Sequence, residues 1–199
     1  MTTRTGRRPG PSDTRGDILA AAARAFSSAG YEAASIRRIA AAAGVDPALI
    51  RRFYGSKEGL FTAVAAAAIR PDEAIGAVLD GPAGHAGERL LRYYLHLLGD
   101  VRQPGPVLGV IRCAVTSEHA AALLRAFLAE KVLAHIAAAL GSDQPRLRAA
   151  LAASQLAGLA VARYAVRLDE LVAASTASLA AWIGPALQAY LTAPAPEME

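Results

Sequence analysis

The chain has 199 residues, 54% of them hydrophobic, a formal net charge of +4 and a single cysteine. That apolar content can bury a substantial core, which excludes a mainly disordered chain, and one cysteine excludes an intrachain disulfide or a cysteine-based zinc cluster. The opening MTTRTGRRPG has no apolar stretch behind its charges, so neither a signal peptide nor a lipidation signal is read there, and a cytoplasmic protein is expected.

Alanine, leucine and arginine dominate, and no run of Val, Ile, Thr and aromatic residues alternates as a strand would, so the chain reads as all-α. Residues 1–12 are expected to form a flexible basic arm carrying Arg7 and Arg8. A first helix is predicted over about 14–29, with Ile18, Ala22 and Phe26 on one stripe. Gly30, Gly44 and Gly55 then punctuate the chain, and each is followed by a residue suited to start a helix: Ser35, Asp46 and Ser56. The second helix covers about 35–43. The third, about 46–53, starts on Asp46 as N-cap with Pro47 in the first turn, and the fourth begins at Ser56. Two short helices joined by AGV make a helix-turn-helix over about 35–54. Beyond residue 70, RPDEAIGAVLDGPAGHAGE reads as a broken connection. Helices follow over about 87–101, 106–115, 117–140, 145–167 and 168–191, with a kink or restart expected at Pro185.

The charge is unevenly placed. Residues 1–70 hold 11 Lys/Arg against 5 Asp/Glu, and residues 71–199 hold 10 against 12. A basic module joined to a near-neutral apolar one points to a polyanion partner for the first part only. On the third helix, at about 100° per residue, Ile50, Phe53 and Tyr54 share one side. Ala48 and Arg52 point away from it, flanked by Leu49 and Arg51. An anchored helix whose outer face is small at its start and cationic further along has the shape of a major-groove reader. Leu49 suits a thymine methyl, and Arg52 suits guanine O6 and N7 or a phosphate. Ser35 at a helix start suits a phosphate, Lys57 in a first turn needs an anion, and Arg37 adds charge on the second helix. Arg7 and Arg8 in GRRPG resemble a minor-groove arm.

The stretch TRGDILAAAARAFSSAGYEAASIRRIAAAAGVDPALIRRFYGSKEGLF, with GY, IA..AGV and GSKE.LF in register, resembles the DNA-binding domain of the tetracycline-repressor (TetR) family over residues 13–70. The resemblance implies a homodimeric transcriptional regulator, usually a repressor, that binds double-stranded DNA at a palindromic operator and is released by a small-molecule effector. It implies base or backbone contacts from Ser35, Pro47, Ala48 and Leu49, and phosphate contacts from Arg51, Arg52 and Lys57. Arg51 stands where this family usually has tyrosine or histidine. An arginine keeps a phosphate donor there, and Tyr54 is expected to pack inside with its hydroxyl partnered.

Residues 71–199 resemble, more loosely, a C-terminal ligand-binding and dimerisation domain. On the last helices Ala157, Gly158 and Ala162 allow close approach, while Leu179, Trp182 and Ile183 belong to a broad apolar face; two such helices per subunit suit a four-helix dimer interface. Tyr93, Tyr94, His96, Arg112, Cys113, Phe127 and His135, large or polar within apolar segments, are the candidate pocket residues. Four histidines show no i, i+3 or i+4 pairing, so no metal is expected. No catalytic motif stands in its required context, so neither an enzyme nor a cofactor is expected. The uncharged run 171–196 is too polar, with its Gly184-Pro185 pair, to span a membrane. The alternative function is a helical small-molecule binder or enzyme that no longer binds a specific operator.

Overall fold

A computed structural model describes residues 13–194, and among these the architecture is all-helical, with one isolated bridge between Gly99 and Pro104. Helix α1 (Thr14–Ala33) starts where the Asp13 carboxylate accepts the Gly16 amide at 3.1 Å, and its helical geometry breaks at Gly30, with φ 78°. Each of the three helices that follow begins as the sequence dictates. Ser35 caps α2 (Ile36–Ala43), Asp46 caps α3 (Pro47–Tyr54) with Pro47 in the first turn, and Ser56 caps α4 (Lys57–Ile69). Gly44 closes α2 in the left-handed region, φ 67°, where a side chain would be strained, and this lets the Gly44 and Val45 amides turn back onto Ala41 and Ala40.

The region after residue 70 is more ordered than its Gly and Pro content suggests. The expected broken connection contains α5 (Pro71–Leu79) and a 3-10 turn (Ala83–His85). Pro71 sits in the first turn of α5 with Asp72 and Glu73, which favour a helix start, and Gly76 faces open space. Helices α6 (Ala86–Leu98) and α7 (Pro106–Thr116) follow. The single helix expected over 117–140 is α8 (Glu118–Leu128), a widened turn (Ala129–Leu133) and α9 (Ala134–Leu140). α10 (Pro145–Ala160) ends in a second widened turn (Val161–Val166), and the last expected helix divides into α11 (Asp169–Ala173) and α12 (Thr176–Thr192). α12 runs on through Pro185, which starts no new helix.

Two close approaches fix this arrangement. α6 lies on α12 so tightly that a Cβ at Gly87 would stand 2.3 Å from the Gln188 amide nitrogen, and the Gly87 amide donates to Gln188 Oε1 at 2.9 Å. α1 lies on α7, where a Cβ at Gly109 would meet Ser27 at 2.9 Å and the Cys113 thiol donates to the Phe26 carbonyl at 3.3 Å. Phe26, Tyr31 and Phe61 are buried in edge-on and stacked contact beneath α1 and α4. α1 therefore belongs both to the N-terminal helices and to the core of the larger part.

One continuous helical run, Pro145–Val166, has the length and mean hydropathy, 1.3, of a membrane-spanning segment. Its polar end argues against that role: Arg148 is buried and donates to the Tyr190 and Ala193 carbonyls at the end of α12.

Candidate nucleic-acid interface and ligand cavity

α3 is anchored from behind. Ile50 is 0% exposed, Phe53 and Tyr54 are half-buried, and the Tyr54 hydroxyl donates to the Arg15 carbonyl at 3.0 Å, the partner that its burial requires. Burial pushes the Tyr54 phenol up, so it acts as a neutral donor. The Arg15 guanidinium lies 4.9 Å over the Phe53 ring, so α1 clamps the inner face of α3. On the other side Pro47, Ala48, Arg51 and Arg52 are exposed, and Leu49 is half-buried at the edge. The outer face is therefore the one expected from the periodicity of the segment.

The flanking residues are more varied. Arg37 is exposed on α2. Ser35 accepts the Arg38 amide at 3.3 Å, which uses its oxygen as a cap and leaves its O–H to donate. Lys57 does not stand free: its ammonium donates to the Glu32 carbonyl at 3.2 Å and lies 4.4 Å over the Tyr31 ring. Only its remaining N–H groups can meet a phosphate. Arg7 and Arg8 lie outside the described residues.

Behind this module a polar cluster ties it to the larger part. Ser117, the N-cap of α8, donates to Glu32 Oε1 at 2.6 Å. His119 stands 3.5 Å from Glu58, whose carboxylate also accepts the Tyr31 hydroxyl at 3.4 Å. The Ser56 hydroxyl and the Glu58 amide, with a smaller contribution from His119, hold the Glu58 carboxyl below its ordinary value of 4.5. Burial first, and Glu58 second, push the Tyr31 phenol up to about 12.

A cavity of about 340 Å³ opens among α6, α7, α8 and α10, with the ends of α4, α9 and α12 contributing. Of the seven expected pocket residues, Tyr93 and Tyr94 line it. The other five do not. His96, Arg112 and His135 are exposed away from it, Phe127 is buried elsewhere in the core, and the Cys113 thiol faces α1, where burial pushes its pKa up. The cavity wall is instead aliphatic, with Val110, Leu124 and Leu156 typical. Sequence reasoning missed Arg148: it falls on the buried stripe of α10 with Ala152 and Leu159, and a charge on an apolar stripe is the signal that marks it.

Of the expected interface residues, Ala157, Gly158 and Trp182 are exposed and Ala162 and Ile183 half-buried, with Trp182 82% exposed. Leu179, also expected at the interface, is instead buried in the protomer's own core at 4% exposure. Leu151, Val161, Val166 and Leu168 add exposed apolar surface near the same helices. Among the described residues no group of three or more His, Cys, Asp or Glu could hold a metal.

The likeness to known proteins extends over both parts. Residues 18–64 match the family model described as bacterial regulatory proteins, tetR family, and residues 85–191 match the tetracyclin repressor-like C-terminal domain. Over 55 residues the chain is 42% identical to the HTH-type transcriptional repressor AcnR of Corynebacterium glutamicum, a match spanning 28% of this chain and 29% of that curated relative. It is 37% identical to a TetR-family regulator of Streptomyces coelicolor A3 of known crystal structure, covering 94% of this chain and 99% of that one with a TM-score of 0.67. The regulator FadR of Bacillus subtilis, solved with stearoyl-CoA, shares the fold at 15% identity and a TM-score of 0.64, covering 91% of this chain and 100% of that one. These relatives are regulators rather than enzymes.

Proposed function

The chain belongs to the TetR family of bacterial transcriptional regulators, and from that premise we propose that it is a repressor that binds a palindromic operator as a homodimer and leaves it when a small molecule fills the cavity. The observation that carries the reading is α3, on which a fully buried Ile50 holds Ala48, Leu49, Arg51 and Arg52 on an outward face. Leu49 and Ala48 approach base edges, Arg51 meets phosphate, Arg52 meets phosphate or guanine, and Ser35, Arg37 and Lys57 grip the backbone on either side. The arm at residues 1–12, with Arg7 and Arg8, extends the contact. Residues 13–70 are the DNA-binding domain and residues 71–199 the ligand-binding and dimerisation domain. Repression is supported by the likeness to AcnR, a transcriptional repressor. Such a protein works where the chromosome lies, in the cytoplasm.

The exposed apolar surface of α10 and α12, with Trp182 at its most exposed point, is what a second copy covers. Two-fold symmetry then presents two α3 helices to a palindrome. Release follows from α7. Val107, Val110 and Ile111 line the cavity, while Gly109 and Cys113 on the same helix touch α1, and Ser117 just beyond its end holds Glu32. A ligand that displaces α7 pulls on α1 and shifts the spacing of the two α3 helices. Selection of bound duplexes from a random DNA pool tests the reading. A palindrome bound by two protomers is expected, and recovery of no palindrome refutes it.

A further inference from the structure

The wall of the cavity has a chemistry that narrows what fills it. Besides aliphatic residues it holds four side chains with polar atoms: Tyr93, Tyr94, Ser142 and Arg148. Three of them are already engaged. The Tyr93 hydroxyl donates to the Ile69 carbonyl at 2.9 Å, and the Ser142 hydroxyl donates to the Leu191 carbonyl at 2.7 Å. Arg148 donates from Nε to the Asp143 carbonyl at 2.8 Å, from one terminal nitrogen to the Tyr190 carbonyl at 3.0 Å, and from the other to the Asp143 carboxylate and, at 2.6 Å, the Ala193 carbonyl. Its charge is neutralised by Asp143 and its donors hold the chain at the end of α12. Tyr94 is different: it lines the cavity, its hydroxyl makes no hydrogen bond among the described residues, and the titratable group it interacts with is Tyr164. Burial pushes its phenol up, so it presents a neutral O–H.

We infer that the cavity takes an uncharged, mainly aliphatic molecule with one oxygen acceptor, seated with that oxygen on the Tyr94 hydroxyl. This rests on the reading that the cavity is the effector site. Among the described residues of the lining, a carboxylate finds no free cation, since the Arg148 guanidinium is committed, and an ammonium finds no free carboxylate, so either charge is buried unpaired at high cost. A neutral alcohol or ketone leaves no charge uncompensated and gives Tyr94 its missing partner. The volume of about 340 Å³ lies at the small end of the range for small-molecule sites. Val115 and Ala157, exposed residues of the lining, mark where the wall reaches solvent.

The test uses the full chain and three probes of equal chain length, decan-1-ol, decanoate and decylammonium, each titrated calorimetrically at neutral pH. Decan-1-ol is expected to bind about tenfold or more tighter than either charged probe. Tyr94→Phe, which keeps the ring, is expected to weaken decan-1-ol about fivefold, the value of one net hydrogen bond, with an unchanged melting temperature in the absence of ligand. Decanoate or decylammonium binding as tightly as decan-1-ol, no binding of decan-1-ol, or an unchanged affinity in Tyr94→Phe overturns the inference. A parallel measurement on the selected duplex separates it from the underlying reading. If decan-1-ol binds with these preferences and leaves DNA occupancy unchanged, the ligand class stands and ligand-driven release falls.

Discussion

Replacing Arg148 with methionine removes a guanidinium that joins three segments while keeping most of the apolar stem. Its side chain is 11% exposed and paired with an Asp143 side chain that is 55% exposed. Removing one partner of a fully buried ion pair costs about 3–5 kcal/mol. Here Asp143 can rehydrate, so its share is small, and most of the loss falls on the carbonyls of Tyr190 and Ala193, which are half-buried and lose their donor. Leaving such acceptors unpaired costs about 1–3 kcal/mol each, offset in part because a buried charge is no longer needed. The net expectation is a destabilisation of about 2–3 kcal/mol, which for a chain of this length lowers the melting temperature by about 4–12 °C. Thermal unfolding followed by far-UV circular dichroism at pH 7 measures it. Arg148→Lys should recover only part, since one ammonium on a shorter stem cannot reach Asp143 and both carbonyls together. A melting temperature for Arg148→Met within about 1 °C of the parent refutes the reasoning, because a contribution of 2 kcal/mol has a larger effect in a domain of this size.

Trp182→Glu places a charge at the most exposed point of the apolar face and is expected to shift the protein from dimer to monomer in sedimentation equilibrium, with the helical content of the protomer retained; an unchanged dimer removes α12 from the interface. The Glu58 carboxyl is held below 4.5 in the folded chain, so the stability it contributes is present above that value and is lost as pH falls through 4.5 and below. Glu58→Gln should therefore flatten the acid limb of stability against pH in urea titrations, and an acid limb of the same slope in the variant assigns the effect to other groups.

The N-terminal helices were legible because their signals are local. Ser35, Asp46 and Ser56 cap helices, Gly44 and Gly55 end the helices before the last two, and the outward face of α3 is set by eight residues in sequence. α5 was not legible, because Gly76 and the Gly-Pro pair after it weigh against a helix, whereas the start chemistry of Pro71, Asp72 and Glu73 is sufficient once Ala74 and Val78 are buried against the rest of the chain. Of the kink or restart expected at Pro185, the restart is absent for a similar reason. α12 is held on α6 through Gly87, Gly184 and Gln188, and packing keeps the helix intact across the missing N–H. Cavity residues are hardest to find, since a valine facing a void and a valine facing a leucine have the same pattern in sequence. Large or polar character within an apolar segment marks Tyr93 and Tyr94, but it marks Cys113 and Phe127 equally, and these face the interior away from the cavity. The pinned ammonium of Lys57 depends on where α1 ends relative to α4, a tertiary fact that no spacing in the sequence encodes.

α3 is held to grip DNA with the two arginines next to its buried anchor, and the most direct measurement is the affinity for the selected duplex as a function of salt, for the parent and for Arg52→Ala. A steep fall of affinity with salt is expected in the parent. If Arg52 meets phosphate, the variant's slope decreases by about 0.9 for each phosphate that is no longer neutralised; if it reads guanine, affinity falls by about 1–3 kcal/mol. An Arg52→Ala protein with the parent's affinity and the parent's salt slope contradicts the assignment of that face to DNA.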